Sequence, residues 1–80
     1  MTVSVLLFAS YADALGGSTI EVELPEGATV ADLVASLHTL PGARMLPPRP
    51  MVAVNEEYAR WDQRISGRDE VAIIPPVAGG

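Results

Sequence analysis

Between two strand-like ends, this sequence carries one long amphipathic helix, and that single stripe limits the folds open to it. From residue 29 to about residue 40, Val30, Leu33, Val34, Leu37 and Leu40 follow helical spacing and line one face. Thr29 is placed to cap the helix, Asp32 sits at its third position, and Pro41-Gly42 stops it. One stripe requires one apolar surface to cover it, and the flanking segments supply strands. Residues 3–9 are β-branched and apolar, the pattern of a buried strand. Residues 19–24 alternate, with Ile20, Val22 and Leu24 on one face and Glu21 and Glu23 on the other. Residues 71–74 form a last short apolar strand, ended by Pro75-Pro76.

The remaining segments read as connections. Ser10 is placed as an N-cap, with Asp13 three residues on, for a short helix over residues 11–15 that Gly16-Gly17 ends. Pro25-Glu26-Gly27 signals a turn. Residues 41–51 carry four prolines and no periodicity, which predicts a loop. Residues 51–54 form a short strand, residues 55–57 turn, and residues 58–61 return beside it as a hairpin. Residues 65–68 make a short turn around Gly67. The order strand, short helix, strand, long helix, hairpin, strand predicts an α+β fold. It has one mixed sheet with the long helix packed on one face, and the last strand parallel to the first. That is the β-grasp arrangement, with residues 1–74 as the body and residues 75–80 as an extended tail.

Composition narrows the chemistry. Eighty residues make one domain with one core, and a chain this size hides only about 60–65% of its unfolded surface. Little interior is left for a deep substrate pocket, so chemistry belongs at the surface, at a terminus or on a partner. With no cysteine there is no disulfide, thiolate nucleophile or cysteine metal site. No metal-ligand spacing, phosphate-binding glycine loop or nucleophile–base pair is present, so no bound metal or cofactor is expected. The N-terminal apolar run has no basic region before it and stops at Ala9, and no apolar stretch approaches a membrane span. The expectation is a soluble, cytoplasmic protein with no membrane partner. Ten acidic residues stand against five basic ones, all arginine, for a net charge of -5, which argues against nucleic acid as a partner. The absence of lysine excludes side-chain Schiff bases and any lysine acceptor of an isopeptide bond.

The last six residues, Pro75-Pro76-Val77-Ala78-Gly79-Gly80, follow directly from a core strand and taper in size. Two prolines favour an extended backbone, and six extended residues reach about 20 Å. Glycine lets another protein's backbone come close. Such a taper suits insertion into a narrow tunnel. The Gly80 carboxylate is itself a poor electrophile. If a partner adenylates it with ATP, it becomes a mixed anhydride that sulfur from a persulfide can attack, leaving a thiocarboxylate. Without cysteine in the chain, that sulfur comes from another protein. The partner supplies positioning and charge stabilisation.

The segment Asp69-Glu70-Val71-Ala72-Ile73-Ile74-Pro75-Pro76-Val77-Ala78-Gly79-Gly80 resembles the ending of the small subunits of molybdopterin synthase. Leu6-Leu7-Phe8-Ala9 with the following short helix, and Met51-Val52-Ala53-Val54-Asn55, resemble two further stretches of that family. The resemblance implies the β-grasp fold shared with ubiquitin. It implies adenylation of Gly80 by a ubiquitin-activating-type enzyme using ATP, and sulfur supplied by a donor protein. It also implies a large catalytic subunit, in a heterotetramer, that receives the tail and passes sulfur to precursor Z in molybdenum cofactor biosynthesis. The carrier would then be the sulfur-donating subunit of a sulfurtransferase rather than an enzyme alone. Gly79 and Gly80 would carry the chemistry. Pro75, Pro76, Val77 and Ala78 would thread the partner, and Phe8 and Ile74 would lie on an apolar docking surface. Arg68 stands where the family usually has glycine, and Ala12 where many members carry a basic residue.

Other candidates read more simply as structure. His38 lies at the edge of the helical stripe, Tyr58 and Trp61 suit hairpin packing, and Glu56-Glu57 and Asp69-Glu70 suit solvated turns. Three alternatives remain open. One is a sulfur carrier for thiamine, cysteine or tungsten cofactor synthesis. Another is a protein modifier attached to targets through Gly80. The third is an interaction module with an idle tail.

Overall fold

Alternation in the first strand decides which side of the sheet is covered. In the computed structural model, which describes residues 1–76, β1 spans Thr2–Leu7 and buries Val3, Val5 and Leu7 while Thr2 and Ser4 face solvent. A short helix α1 (Ala9–Leu15) follows, then β2 (Thr19–Glu23), α2 (Val30–Leu37), β3 (Met51–Val54), β4 (Glu57–Tyr58) and β5 (Val71–Ile74). The strands form one sheet in the order β2-β1-β5-β3-β4. β1 and β5 run parallel, with Val5 beside Val71 and Leu7 beside Ile73, and the other pairings are antiparallel. The α+β architecture with a mixed sheet and a helix over one face is therefore as the sequence predicts. The most completely buried large side chains all come from β1, α2 and β5: Val3, Val5, Leu7, Val30, Leu33, Val34, Leu37, Val71 and Ile73. The core is thus the central parallel pair roofed by one helix.

Thr29 caps α2 as expected, in a full capping box with Asp32. The helix stops three residues short of Leu40, however. Thr39 and Leu40 donate backbone bonds three residues back, to Ser36 and Leu37, so the end tightens before Pro41. A residue preceding proline is pushed out of the helical region, which accounts for the early stop. At the other end, Val30 and Ala31 donate to the carbonyls of Gln63 and Trp61. These satisfy two of the donors every helix start leaves open. No helix among the described residues is long and apolar enough to cross a membrane.

Two expectations are corrected. Ser10 does not cap α1, because the chain has already turned at Ala9, whose φ is +48. The N-cap is Phe8, without a side-chain bond, and Ser10 lies inside the helix. Gly16 does end α1, in the left-handed region at φ +90. The proline-rich stretch is not only loop: Ala43–Met45 form a 3-10 turn, and Ala43 and Leu46 are buried. Gly42 brings this turn hard against the backbone of Ala14 in α1. The predicted hairpin is shorter than expected, since β4 has two residues. Asn55 and Glu56 take positive φ of 52 and 70, the geometry of a tight two-residue hairpin turn.

Asn55 also ties that turn to the start of β5. Its side-chain amide donates to Asp69 at 3.0 Å, its side-chain oxygen accepts from the Glu70 N–H at 2.9 Å, and its own N–H donates to the Glu70 carbonyl at 2.8 Å. The Asn55 amide, and then the Ser66 backbone N–H, hold the Asp69 carboxyl below its ordinary pKa. A carboxyl depressed in the folded state contributes stability above its unfolded pKa and loses it as pH falls through the folded pKa. Asn55→Ala removes three roles at once: the amide donor, the amide acceptor and tolerance of left-handed backbone. Urea unfolding near neutral pH should show a loss of about 1–2 kcal/mol. The gap to the parent should narrow once pH drops below the ordinary carboxylate range. A gap that stays constant down that range would remove Asp69 from the account.

Candidate functional site at the root of the tail

The site is built where β1 and β5 end side by side. Leu7 lies beside Ile73 on the core side, and Phe8 and Ile74 follow them directly in the chain, Phe8 as the N-cap of α1 and Ile74 as the last residue of β5. Met51 of β3 pairs with Ile74 from the other flank. Phe8 is 45% exposed and Met51 51% exposed, while Ile74 is half-buried between them. Pro75 is half-buried and Pro76 exposed, outside any strand. Strand pairing therefore ends at Ile74, and the chain leaves the sheet there. Val77, Ala78, Gly79 and Gly80 lie outside the described residues.

A hollow of about 300 Å³ flanks this exit, lined by Tyr11, Pro47, Arg49, Pro50, Met51, Ile74 and Pro76. Three prolines fix much of its wall, since their rings lock φ. The Arg49 guanidinium lies 4.8 Å from the centre of the Trp61 ring, a cation–π contact that holds the 47–50 segment against the body. Ile74, Pro75 and Pro76 thus close β5 and leave it, while Phe8 follows the end of β1, the strand paired with β5. The structure adds Tyr11, Arg49 and Met51, which sequence reasoning missed. Met51 was open to discovery: Val52 and Val54 face the core, so alternation turns Met51 outward. Nothing in the spacing of Tyr11 or Arg49 signals their place beside the exit.

The other candidates fall where a structural reading puts them. His38 closes α2, is exposed, and its Nε2 bonds the Pro47 carbonyl at 3.1 Å. Trp61 packs against the core from its edge, and Tyr58 is 72% exposed on β4. Glu56 and Glu57 are exposed. Among the described residues no cluster of His, Asp or Glu has the makings of a metal site. Among the described residues the arrangement is an apolar surface, with Met51, Ile74, Pro47, Pro50 and Pro76 around the end of β5.

A five-stranded mixed sheet roofed by one helix, with its C-terminus leaving a central strand, defines a ubiquitin-like β-grasp protein. The chain belongs to the ThiS family, whose profile matches residues 5–80. Among its relatives, the molybdopterin synthase sulfur carrier subunit of Dictyostelium discoideum is 39% identical, over 95% of this chain and 93% of that protein. The protein of the same name from Chlamydomonas reinhardtii is 35% identical, over the full length of both. The crystal structure of SAMP1 from Haloferax volcanii superposes with a TM-score of 0.85 at 29% identity, covering all of both chains.

Proposed function

We propose that this chain is the sulfur-carrier subunit of a molybdopterin synthase, with the Gly80 carboxylate as its working group. The observation that carries the reading is full-length similarity to carrier subunits of that name, together with a body that ends in an exposed apolar platform beside the chain's exit. Adenylation by an ATP-using enzyme of the ubiquitin-activating type forms the acyl-adenylate and releases pyrophosphate. A donor protein's persulfide sulfur then displaces AMP, and thiol cleavage of the sulfur–sulfur bond leaves the thiocarboxylate. The tail residues Val77, Ala78 and Gly79 deliver that sulfur into the large subunit, where precursor Z accepts it. The body's part is to dock and to aim. Phe8, Met51 and Ile74 press on the partner, and the Pro75-Pro76 pair keeps the outgoing backbone from folding back.

The test is the intact mass of the chain after incubation with ATP, a sulfur source and the host's activating enzyme. The expected shift is that of one terminal oxygen replaced by sulfur. An unchanged mass, alongside a control carrier that is converted, would overturn the reading. For the platform, Phe8→Glu puts a charge at a half-exposed apolar position and should weaken large-subunit binding about a hundredfold, as loss of a central apolar anchor does. Its melting temperature should stay close to the parent's. Equal affinity by calorimetry would remove Phe8 from the interface.

A second reading draws on the likeness to the archaeal modifier SAMP1. In it, Gly80 is joined to lysines of target proteins. Gly-Gly remnants on lysines of host proteins, traced to this chain, would favour that reading over sulfur transfer.

A further inference from the structure

The net charge of this chain lies wholly in its first half. Residues 1–43 hold Asp13, Glu21, Glu23, Glu26 and Asp32 and no Arg or Lys, whereas residues 44–80 hold all five arginines and the other five acids. That acidic half includes β2, which forms one edge of the sheet. Leu7 donates to Ser18 and Leu24 to Met1, so the bonded rungs of the β1–β2 ladder are those of Ser18, Ile20, Val22 and Leu24. The backbone groups of Thr19, Glu21 and Glu23 therefore turn to the open edge. Beside this edge, Leu15, Ile20, Leu40 and Pro41 line a hollow of about 410 Å³, rimmed by Asp13 and Glu21. It shares no lining residue with the hollow beside Tyr11 and Ile74.

We propose that this edge binds an extended partner segment in which basic and apolar residues alternate, added to the sheet as a strand beside β2. The two periodicities match. In an added strand, side chains on the Ile20 side enter the hollow against Leu15 and Leu40, and the alternate ones lie beside Glu21 and Glu23 on the opposite face. Backbone pairing with Thr19, Glu21 and Glu23 supplies affinity, and the carboxylates select a cationic sequence. A second copy of this chain is a poor occupant, because edge-to-edge pairing would set the Glu21 and Glu23 carboxylates of both copies together. The proposal is independent of sulfur transfer, since the edge belongs to β2, which β1 separates from β5.

The test uses the full chain and a capped peptide alternating arginine and valine, followed by amide shifts in NMR. Shifts are expected at Thr19, Glu21, Glu23, Leu15 and Leu40, with binding that weakens as salt rises. The triple variant Asp13→Asn, Glu21→Gln, Glu23→Gln leaves shape and core intact and should bind about tenfold more weakly. A peptide alternating glutamate and valine should not bind. Shifts centred on Phe8 and Met51 instead, equal affinity for the triple variant, or no shifts at the peptide's solubility limit would each overturn the proposal.

Discussion

Deleting Gly79 and Gly80 should reduce thiocarboxylate formation and molybdenum cofactor synthesis to background while leaving the body's stability unchanged. Every core residue among the described residues lies at or before Ile73, so the deletion removes none of them. Thermal unfolding of the shortened chain should therefore match the parent within about 2 °C. The loss of function is expected to be complete because the reacting group moves. The new terminal carboxylate of Ala78 sits two residues back, about 7 Å short of the activating site. Adding one alanine after Gly80 separates reach from chemistry: the backbone is then longer, yet the acyl group presented is wrong. That variant should also fail at adenylation, read as ATP–pyrophosphate exchange. Normal molybdoenzyme activity from the shortened chain in a strain lacking the parent would rule out Gly80 as the working group.

The largest effect on stability is expected from a position far from the tail. Gly42 has φ +87, and a Cβ there would overlap the carbonyl oxygen of Ala14 and lie 2.9 Å from its carbonyl carbon. Gly42→Ala thus meets two costs together. Left-handed backbone costs alanine about 1–2 kcal/mol, and driving apart packed backbone costs about 1–3 kcal/mol more. A total near 3 kcal/mol is a large share of the roughly 4–12 kcal/mol expected for a domain of this length. Gly16 provides the comparison, since its φ is +90 but a Cβ there meets nothing within 4 Å. Gly16→Ala should cost about 1 kcal/mol, the backbone part alone. Chemical denaturation of the two variants measures the difference. Equal losses would mean that the contact between the 3-10 turn and α1 contributes little.

The parts of this fold that sequence reading reached are those written in short-range periodicity. The stripe from Val30 to Leu37, the Thr29–Asp32 box and the alternation of Ile20, Val22 and Leu24 each follow from spacing alone. Val71–Ile74 was recognisable because its apolar run ends at two prolines. What was misread depends on contacts between distant segments. Ala9 at φ +48 carries no turn signal, because alanine is an unlikely residue for that conformation. Residues 43–46 lack periodicity, yet Ala43 and Leu46 are buried because Gly42 allows close approach to α1. For the site, Phe8 and Ile74 came from resemblance to a family, and the β1–β5 pairing sets the strand ends they stand at side by side. Tyr11 and Arg49 reach the same exit from segments nearly 40 residues apart in the chain, a proximity only the tertiary fold creates.

β5 is held on both sides, by β1 in parallel and by β3 in antiparallel register, and the C-terminal segment joins the body through Ile74 at its end. A pull applied through the C-terminus therefore loads both ladders in shear. The rungs of Val71, Ala72 and Ile73 must give way nearly together, rather than one at a time as in a peeled hairpin. The chain end is thus anchored like a rivet through the middle of the sheet. Force arriving from that end is shared between two ladders and the core side chains Val71 and Ile73 behind them.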